Sequence, residues 1–229
     1  MSPRLRVIPL FLSSCIWLIR SAQPLLGLFM RYHPAFEKLR DCFARLPGIG
    51  RRSAERLVFG LLTDQTGLSK ELIAALQEMA AGLRCCSRCG ALTPVADDPC
   101  RLCMDPTRDA TLLCVVEAPS DIMRIEQAGG YRGHYHALMG RLSPMSGLGM
   151  QDLRMNALFE RIDQGAYREI ILALNSNVES DATTSFIRSR LVGRNLLVSR
   201  PAMGIPAGGG VAYTDALTLS NAMKSRQTF

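Results

Sequence analysis

The sequence is short of the residues that most often mark a catalytic or cofactor site. Its 229 residues include three histidines and a single tryptophan, Trp17. His33, His134 and His136 are scattered, and each reads as an ordinary packing or surface residue rather than a ligand. Acids number 20 against 27 Lys and Arg, a formal net charge of +7 that points to a polyanionic partner. The run Gly208-Gly209-Gly210 lacks the Lys-Ser/Thr that would complete a phosphate loop, so it reads as a tight turn and not an ATP site. Tyr131, Tyr135 and Tyr213 have no sequence neighbour that would activate a nucleophile. The longest apolar stretch, Val7 to Ile19, is broken by Pro9, Ser13 and Ser14 and stopped by Arg20, too short to cross a bilayer. No membrane partner is expected.

That first stretch has the layout of a signal peptide, with Arg4 and Arg6 before it and Ser21-Ala22-Gln23 after it. Export, however, conflicts with the cysteine pattern described next, and Met30-Arg31-Tyr32-His33-Pro34 leads directly into a patterned helix. Residues 1–29 are therefore read as a start-site extension outside the fold, with translation beginning at Met30.

Of the eight cysteines, four form two Cys-x-x-Cys knuckles, Cys86/Cys89 and Cys100/Cys103, across a spacer holding Gly90, Pro94, Asp97, Asp98 and Pro99. Two such turns supply the four soft ligands that tetrahedral Zn²⁺ prefers. A disulfide redox pair and reduced core thiols are the rival readings. With sulfur filling all four positions the ion would be structural, with no open site for water. Cys85 is adjacent, but only Cys86 has the two-residue spacing to Cys89. The segment is too poor in apolar residues to order itself, so metal binding would fold it. Reduced thiols fit a reducing cytoplasm better than a secreted disulfide scaffold.

Upstream, Pro34 opens a helix with apolar residues Phe36, Leu39, Phe43 and Leu46. A second carries Ala54, Leu57, Val58 and Leu61, and a third Leu72, Ile73, Leu76, Ala80 and Leu83. Between the first two lies Leu46-Pro47-Gly48-Ile49-Gly50, followed by Arg51, Arg52 and Arg56. Glycines there let the backbone approach a ligand, the next helix offers unpaired N–H groups to a phosphate, and guanidinium groups can grip its neighbours. This is a helix-hairpin-helix pattern for non-sequence-specific DNA contact through Gly48, Gly50, Arg51, Arg52 and Arg56; the bland reading is a structural hairpin with solvated arginines.

Downstream the period changes. Strands are expected at Thr111–Val116, His134–Met139, Glu169–Leu174 and Leu196–Ser199, with helices after Pro119-Ser120-Asp121 and over Asp152–Arg161 and Glu179–Leu191. The alternation predicts an α/β fold: a parallel sheet with helices on both faces. Glu117 ends the first strand, and Asn175, Asn177, Glu179 and Asp181 follow the third, a cluster of oxygens that suits Mg²⁺. The alternative is that they are helix N-caps and acids favoured by the dipole.

In this order the segments resemble the bacterial RecR recombination mediators from about Met30 to the end. Residues 46–57 look like the family's helix-hairpin-helix, the Cys-x-x-Cys pairs like its zinc finger, and Val115-Val116-Glu117-Ala118-Pro119-Ser120-Asp121 like the opening of its Toprim domain. Residues 135–144, Gly147-Leu148-Gly149, 204–210 and 218–222 follow its central and C-terminal segments. The expected organisation is a hairpin domain over 30–84, a four-cysteine zinc finger over 85–104, a Toprim domain over 111–206 and a C-terminal helical, oligomerising tail over 207–229.

The resemblance implies a non-enzymatic role in DNA repair. Such proteins form ring-like homo-oligomers (a dimer or a tetrameric ring) on single-stranded, gapped or double-stranded DNA, and act with RecO and RecF to load RecA where single-strand-binding protein coats the strand. Location would be cytoplasmic, at the nucleoid. Glu117, Asp121, Glu179 and Asp181 fall on the Toprim acidic face, a partner-contact surface in this family. Catalytic Toprim enzymes carry Asp-x-Asp where this chain has Asn175-Ser176-Asn177, one anionic anchor fewer for Mg²⁺. The family's usual Asn-Pro-Thr-Val-Glu-Gly-Glu is also altered, to Asn-Ser-Asn-Val-Glu-Ser-Asp at 175–181. The competing functions are a Mg²⁺-dependent Toprim nuclease or strand-transferase using Glu117, and a zinc-stapled adaptor that touches only proteins.

Overall fold

The computed structural model describes residues 32–142, 149, 151, 153–202 and 204–226. Residues 1–29 and Pro144, Gly147 and Leu148 of the central motif lie outside the described residues. The chain divides into two compact units at Ala74/Ala75.

In the first unit, helix α1 (Pro34–Ala44) starts where His33 Nδ1 accepts from Ala35 N–H and Pro34 occupies the first turn. Helix α2 (Arg51–Thr63) follows after the hairpin. Phe36, Ala54 and Val58 are buried between them, and Phe36 stacks on Tyr32 at 4.3 Å and packs against Phe59 at 5.0 Å. Asp64 then accepts from Gly67 N–H and Leu68 N–H (2.9 and 2.8 Å) and starts α3 (Leu68–Gly82). Leu83, expected at the end of that helix, instead opens a strand: α3 stops at Gly82, whose carbonyl accepts from Val95 N–H.

The second unit opens with a short antiparallel ribbon, β1 (Leu83–Cys85) against β2 (Leu92–Pro94), and the single turn α4 (Arg101–Met104). Then come β3 (Asp109–Val116), α5 (Pro119–Ala128), β4 (Gly133–Ala137), α6 (Met155–Gln164), β5 (Glu169–Ala173), α7 (Val178–Leu191), β6 (Leu197–Ser199) and α8 (Ala216–Lys224). The sheet is wholly parallel in the order β4-β3-β5-β6, as the alternation of strands and helices predicts.

Side chains two apart on a strand share a face, and β3 shows how the two faces are covered. Leu113 and Val115 join Leu158 and Ile162 of α6, Ile170 and Leu172 of β5, and Ile187 and Leu191 of α7 in one apolar cluster. Cys114 and Val116 point the other way, into a second cluster with Tyr135 and Ala137 of β4, Ile122 of α5 and the four knuckle cysteines. The sheet is therefore flanked by α6 and α7 on one side, and by α5 with the cysteine module on the other.

Buried polar groups fix this arrangement. Tyr135 Oη donates to Glu126 (2.6 Å), and Arg108, only 8% exposed, pairs with the same carboxylate and donates to Gly133 O (2.9 Å). These bonds pin α5 to β4. His136 is fully buried with Nε2 3.0 Å from Arg154 O, and burial pushes its pKa down to about 4, so the ring is neutral at physiological pH.

Gly90 sits where the first knuckle meets the sheet, at φ +84°, and a Cβ there would lie 2.7–2.9 Å from Arg154 Nη1, Met139 Cε and Ala137 Cβ. Gly90→Ala adds a left-handed backbone penalty to overpacking and is expected to lower unfolding free energy by about 2–4 kcal/mol in a urea titration.

Candidate functional site

The hairpin of the first unit is built by local rules. Helix α1 closes at Arg45, the chain turns with Ile49 N–H donating to Leu46 O (3.1 Å), and Gly48 adopts φ +78°, open to solvent. Gly50 then caps α2 with no side chain to satisfy its first N–H groups. Arg51 and Arg52 are the first two residues of α2, Arg56 follows just over one turn later, and no acid lies in that first turn. All three arginines are exposed and without an ion pair among the described residues. Gly48, Gly50, Arg51, Arg52 and Arg56 thus share one hairpin end, with free N–H groups and unspent positive charge.

The second unit brings Cys86, Cys89, Cys100 and Cys103 together, all buried, with their sulfurs within 4.8 Å of one another. Two of the pairs are 4.0 Å (Cys86–Cys103) and 3.4 Å (Cys89–Cys100) apart. Four sulfurs around one tetrahedral zinc sit about 3.8 Å apart, so the spacing fits an ion at the centre. Among the described residues this is the one group of three or more His, Cys, Asp or Glu able to hold a metal. Cys85 is exposed and outside it.

The backbone is shaped for the same purpose. Ala91 N–H donates to Cys89 Sγ (3.4 Å) and Cys100 N–H to Cys86 Sγ (3.3 Å), which stabilise thiolates. Hydrogen bonds from Cys103 and Cys89 pull the Cys100 thiol well down, while donating to Cys100 pushes Cys89 up. The sulfurs are too close for all four to ionise together unless a cation sits among them. Across the module, Asp98 accepts from Ser87 N–H (2.8 Å) and Ser87 Oγ (2.9 Å) and pairs with Arg84, and these partners hold its carboxyl below the usual range.

Two arginines that the sequence reading missed fasten this module to the sheet. Arg154 donates from Nη2 to the carbonyls of Ser87 and Arg88, and Arg161 donates from Nη1 to those of Tyr135 and Arg88. Ala137 N–H completes the seam with a bond to Cys89 O (2.8 Å). Their positions on and just before α6 gave no sign of this, because the carbonyls they reach lie up to 73 residues upstream.

At the carboxyl ends of β3 and β5 the four acids separate into different jobs. Glu117 is 4% exposed, and both of its oxygens accept: Oε1 from Asn175 N–H (2.9 Å) and the Ser180 hydroxyl, Oε2 from Asn175 Nδ2 (2.8 Å). Arg141 lies 3.7 Å from Glu117 and pairs with Glu179. Asp121 reaches back to Ala118 N–H (2.9 Å) and caps α5, while Asp181 stands exposed in the first turn of α7. The resemblance places all four on the Toprim acidic face; of these Glu117 is buried, with Asn175 and Ser180 donating to its carboxylate.

Comparison with known proteins decides the relationship. Residues 36–80 match the family model described as RecR, helix-hairpin-helix, residues 111–202 that of the Toprim domain, and residues 204–227 that of RecR, C-terminal. A recombination protein RecR of Syntrophobacter fumaroxidans is 42% identical over 198 residues, covering 86% of this chain and 98% of the relative. That of Bifidobacterium adolescentis is 42% identical over the same length and shares, and that of Thermobifida fusca 40% over 196 residues. The chain belongs to the RecR family. The family's Toprim unit is thus the sheet of β3 to β6, and the matched C-terminal segment carries α8, whose N-cap Asp215 accepts from Leu217 and Thr218 N–H.

Glu117 holds the loop of Asn175 to the start of α7, so Glu117→Gln sets an amide donor against groups that already donate. A loss of about 1–3 kcal/mol of stability is expected in chemical denaturation. Unchanged stability would show that the carboxylate does not hold the loop.

Proposed function

We propose that this protein is a non-catalytic mediator of recombinational DNA repair that binds DNA backbones through its hairpin. One observation carries the reading: the uncapped N-terminus of α2, with Arg51, Arg52 and Arg56 exposed and unpaired beside Gly48 and Gly50. N–H groups at a helix start and unspent guanidiniums suit phosphate oxygens of any sequence. Relatives at about 40% identity are named recombination proteins, which supports the same role.

The finer reading follows the family resemblance. The chain assembles as a ring-like homo-oligomer on gapped or single-stranded DNA in the cytoplasm and works with RecO and RecF to load RecA. The domains divide as 30–84, 85–104, 111–206 and 207–229, the last contributing to assembly. The metal is one structural zinc per chain, since four buried sulfurs match its ligand preference and leave no position for a reacting water. Glu117 already accepts three hydrogen bonds, which favours a binding module over Mg²⁺ chemistry. Glu179 and Asp181 then form the outer part of a partner-facing acidic surface.

Replacing Arg51, Arg52 and Arg56 together by Ala should weaken binding to gapped DNA of all sequences alike. The slope of log affinity against log salt should shrink by about two to three in an anisotropy series. An unchanged affinity and slope would remove the hairpin as the DNA surface.

Elemental analysis of the purified protein should find one zinc per chain. Chelation should open residues 86–103 to protease, because metal binding and folding of this module are one equilibrium.

A further inference from the structure

Between the first cysteine knuckle and α6 lies a cleft of about 340 Å³ whose walls include Arg88, Arg154, Glu160, Arg161 and Tyr167. Three guanidiniums thus meet one carboxylate. Neither Arg154 nor Arg161 forms an ion pair among the described residues. Among the described residues Arg154 binds only backbone carbonyls, and Arg161 binds carbonyls and the Tyr167 hydroxyl (2.9 Å). Each also has one nitrogen, Arg154 Nη1 and Arg161 Nη2, that is buried and without a hydrogen-bond partner among the described residues. Arg88 is exposed at the rim, and its guanidinium has no partner among the described residues.

Carbonyls orient a guanidinium but leave its charge in place, and a half-buried cation without a counter-charge is costly. The surplus is felt nearby: after burial itself, Arg161 and Arg88 are the next influences lowering the pKa of His134. An anion with several oxygens answers the uncancelled charge of the three guanidiniums, and the planar fork of Arg matches phosphate geometry.

We propose that this cleft is a second phosphate site, built from residues other than the hairpin's, which takes a backbone phosphate of a nucleic-acid strand. The choice of a strand over a free anion rests on the DNA-binding reading above. The cleft then supplies an anchor in the second unit, reading no sequence. Arg88 is the contact that a strand meets first, and Arg154 and Arg161 lie behind it as fixed charges.

The test uses the full chain in four forms: wild type, Arg88→Glu, the hairpin triple alanine variant, and the two combined. Among the described residues the Arg88 side chain makes no hydrogen bond or ion pair, and metal content and circular dichroism check that the module is intact. Arg161→Gln serves as a second cleft variant. A labelled mixed-sequence single strand is titrated across a salt series, and inorganic phosphate is tested separately by its effect on thermal melting.

Arg88→Glu should lower strand affinity about three- to tenfold and reduce the salt slope by about one, with or without the hairpin arginines. Unchanged affinity in Arg88→Glu and Arg161→Gln, with binding lost in the hairpin variant, overturns the cleft and leaves the hairpin reading standing. Loss in the cleft variants, with full binding in the hairpin variant, upholds the cleft and overturns the hairpin. Protection by inorganic phosphate that Arg88→Glu abolishes, without any change in strand affinity, overturns the strand as the ligand.

Discussion

Four sulfur atoms within 4.8 Å of one another hold down half of the second unit's core. One face of its sheet is covered by two helices, as expected of a parallel α/β layer. The other has a single helix, α5, and the remaining area is sealed by the knuckles of Cys86, Cys89, Cys100 and Cys103, which pack with Cys114, Val116, Tyr135 and Ala137. The four-sulfur cluster and the apolar layer are therefore one object. Without a cation the thiols must share protons, and the layer that covers β3 and β4 loses the charge balance that keeps its cysteines together. The ribbon of three-residue strands and the single turn of α4 are too small to supply that order themselves.

The excess of basic residues separates into three kinds once their partners are known. Arg108 and Arg141 are matched by carboxylates, Arg108 by Glu126 of α5 and Arg141 by Glu179 of α7 and Glu117 at the end of β3. Arg154 and Arg161 are matched by carbonyls, which place them and leave their charge uncancelled. Arg51, Arg52 and Arg56 have no acidic partner among the described residues and stand in solvent at a helix start. Net charge treats these as equal; only the last two kinds can act on an anion from outside.

Much of this architecture was legible in the sequence because it repeats. Apolar runs alternating with helical segments gave the four parallel strands with α6 and α7, helical spacing gave α1 and α2, and two Cys-x-x-Cys turns gave the four-sulfur cluster. Leu83 was misplaced because its apolar spacing continues that of α3, while the end at Gly82 is set by pairing with β2. The ribbon and α4 are too short for any period to register. Arg154 and Arg161 stayed hidden for another reason: what ties them to the cysteine module is backbone, and backbone carbonyls leave no trace in residue identity. The burial of Glu117 was equally unreadable, since it depends on where Asn175 and Ser180 fold relative to a strand end 58 and 63 residues away.

The exchange of a carboxylate for an amide at Asn175 bears on more than the count of negative charges. A second carboxylate at that place would repel Glu117, and a divalent cation would be needed to hold the two together. Asn175 instead donates twice to Glu117, from its backbone and its side chain, and Ser180 donates a third time. The carboxylate is satisfied by the protein itself, so the loop before α7 is fixed without an ion. Arg141 then spans Glu117 below and Glu179 above, and passes that rigidity to the outer acids. A crevice that elsewhere would assemble around a metal becomes a preformed support, on which Asp181 is presented to solvent in a set position. On the binding-module reading proposed above, docking a partner on such a surface carries little ordering cost.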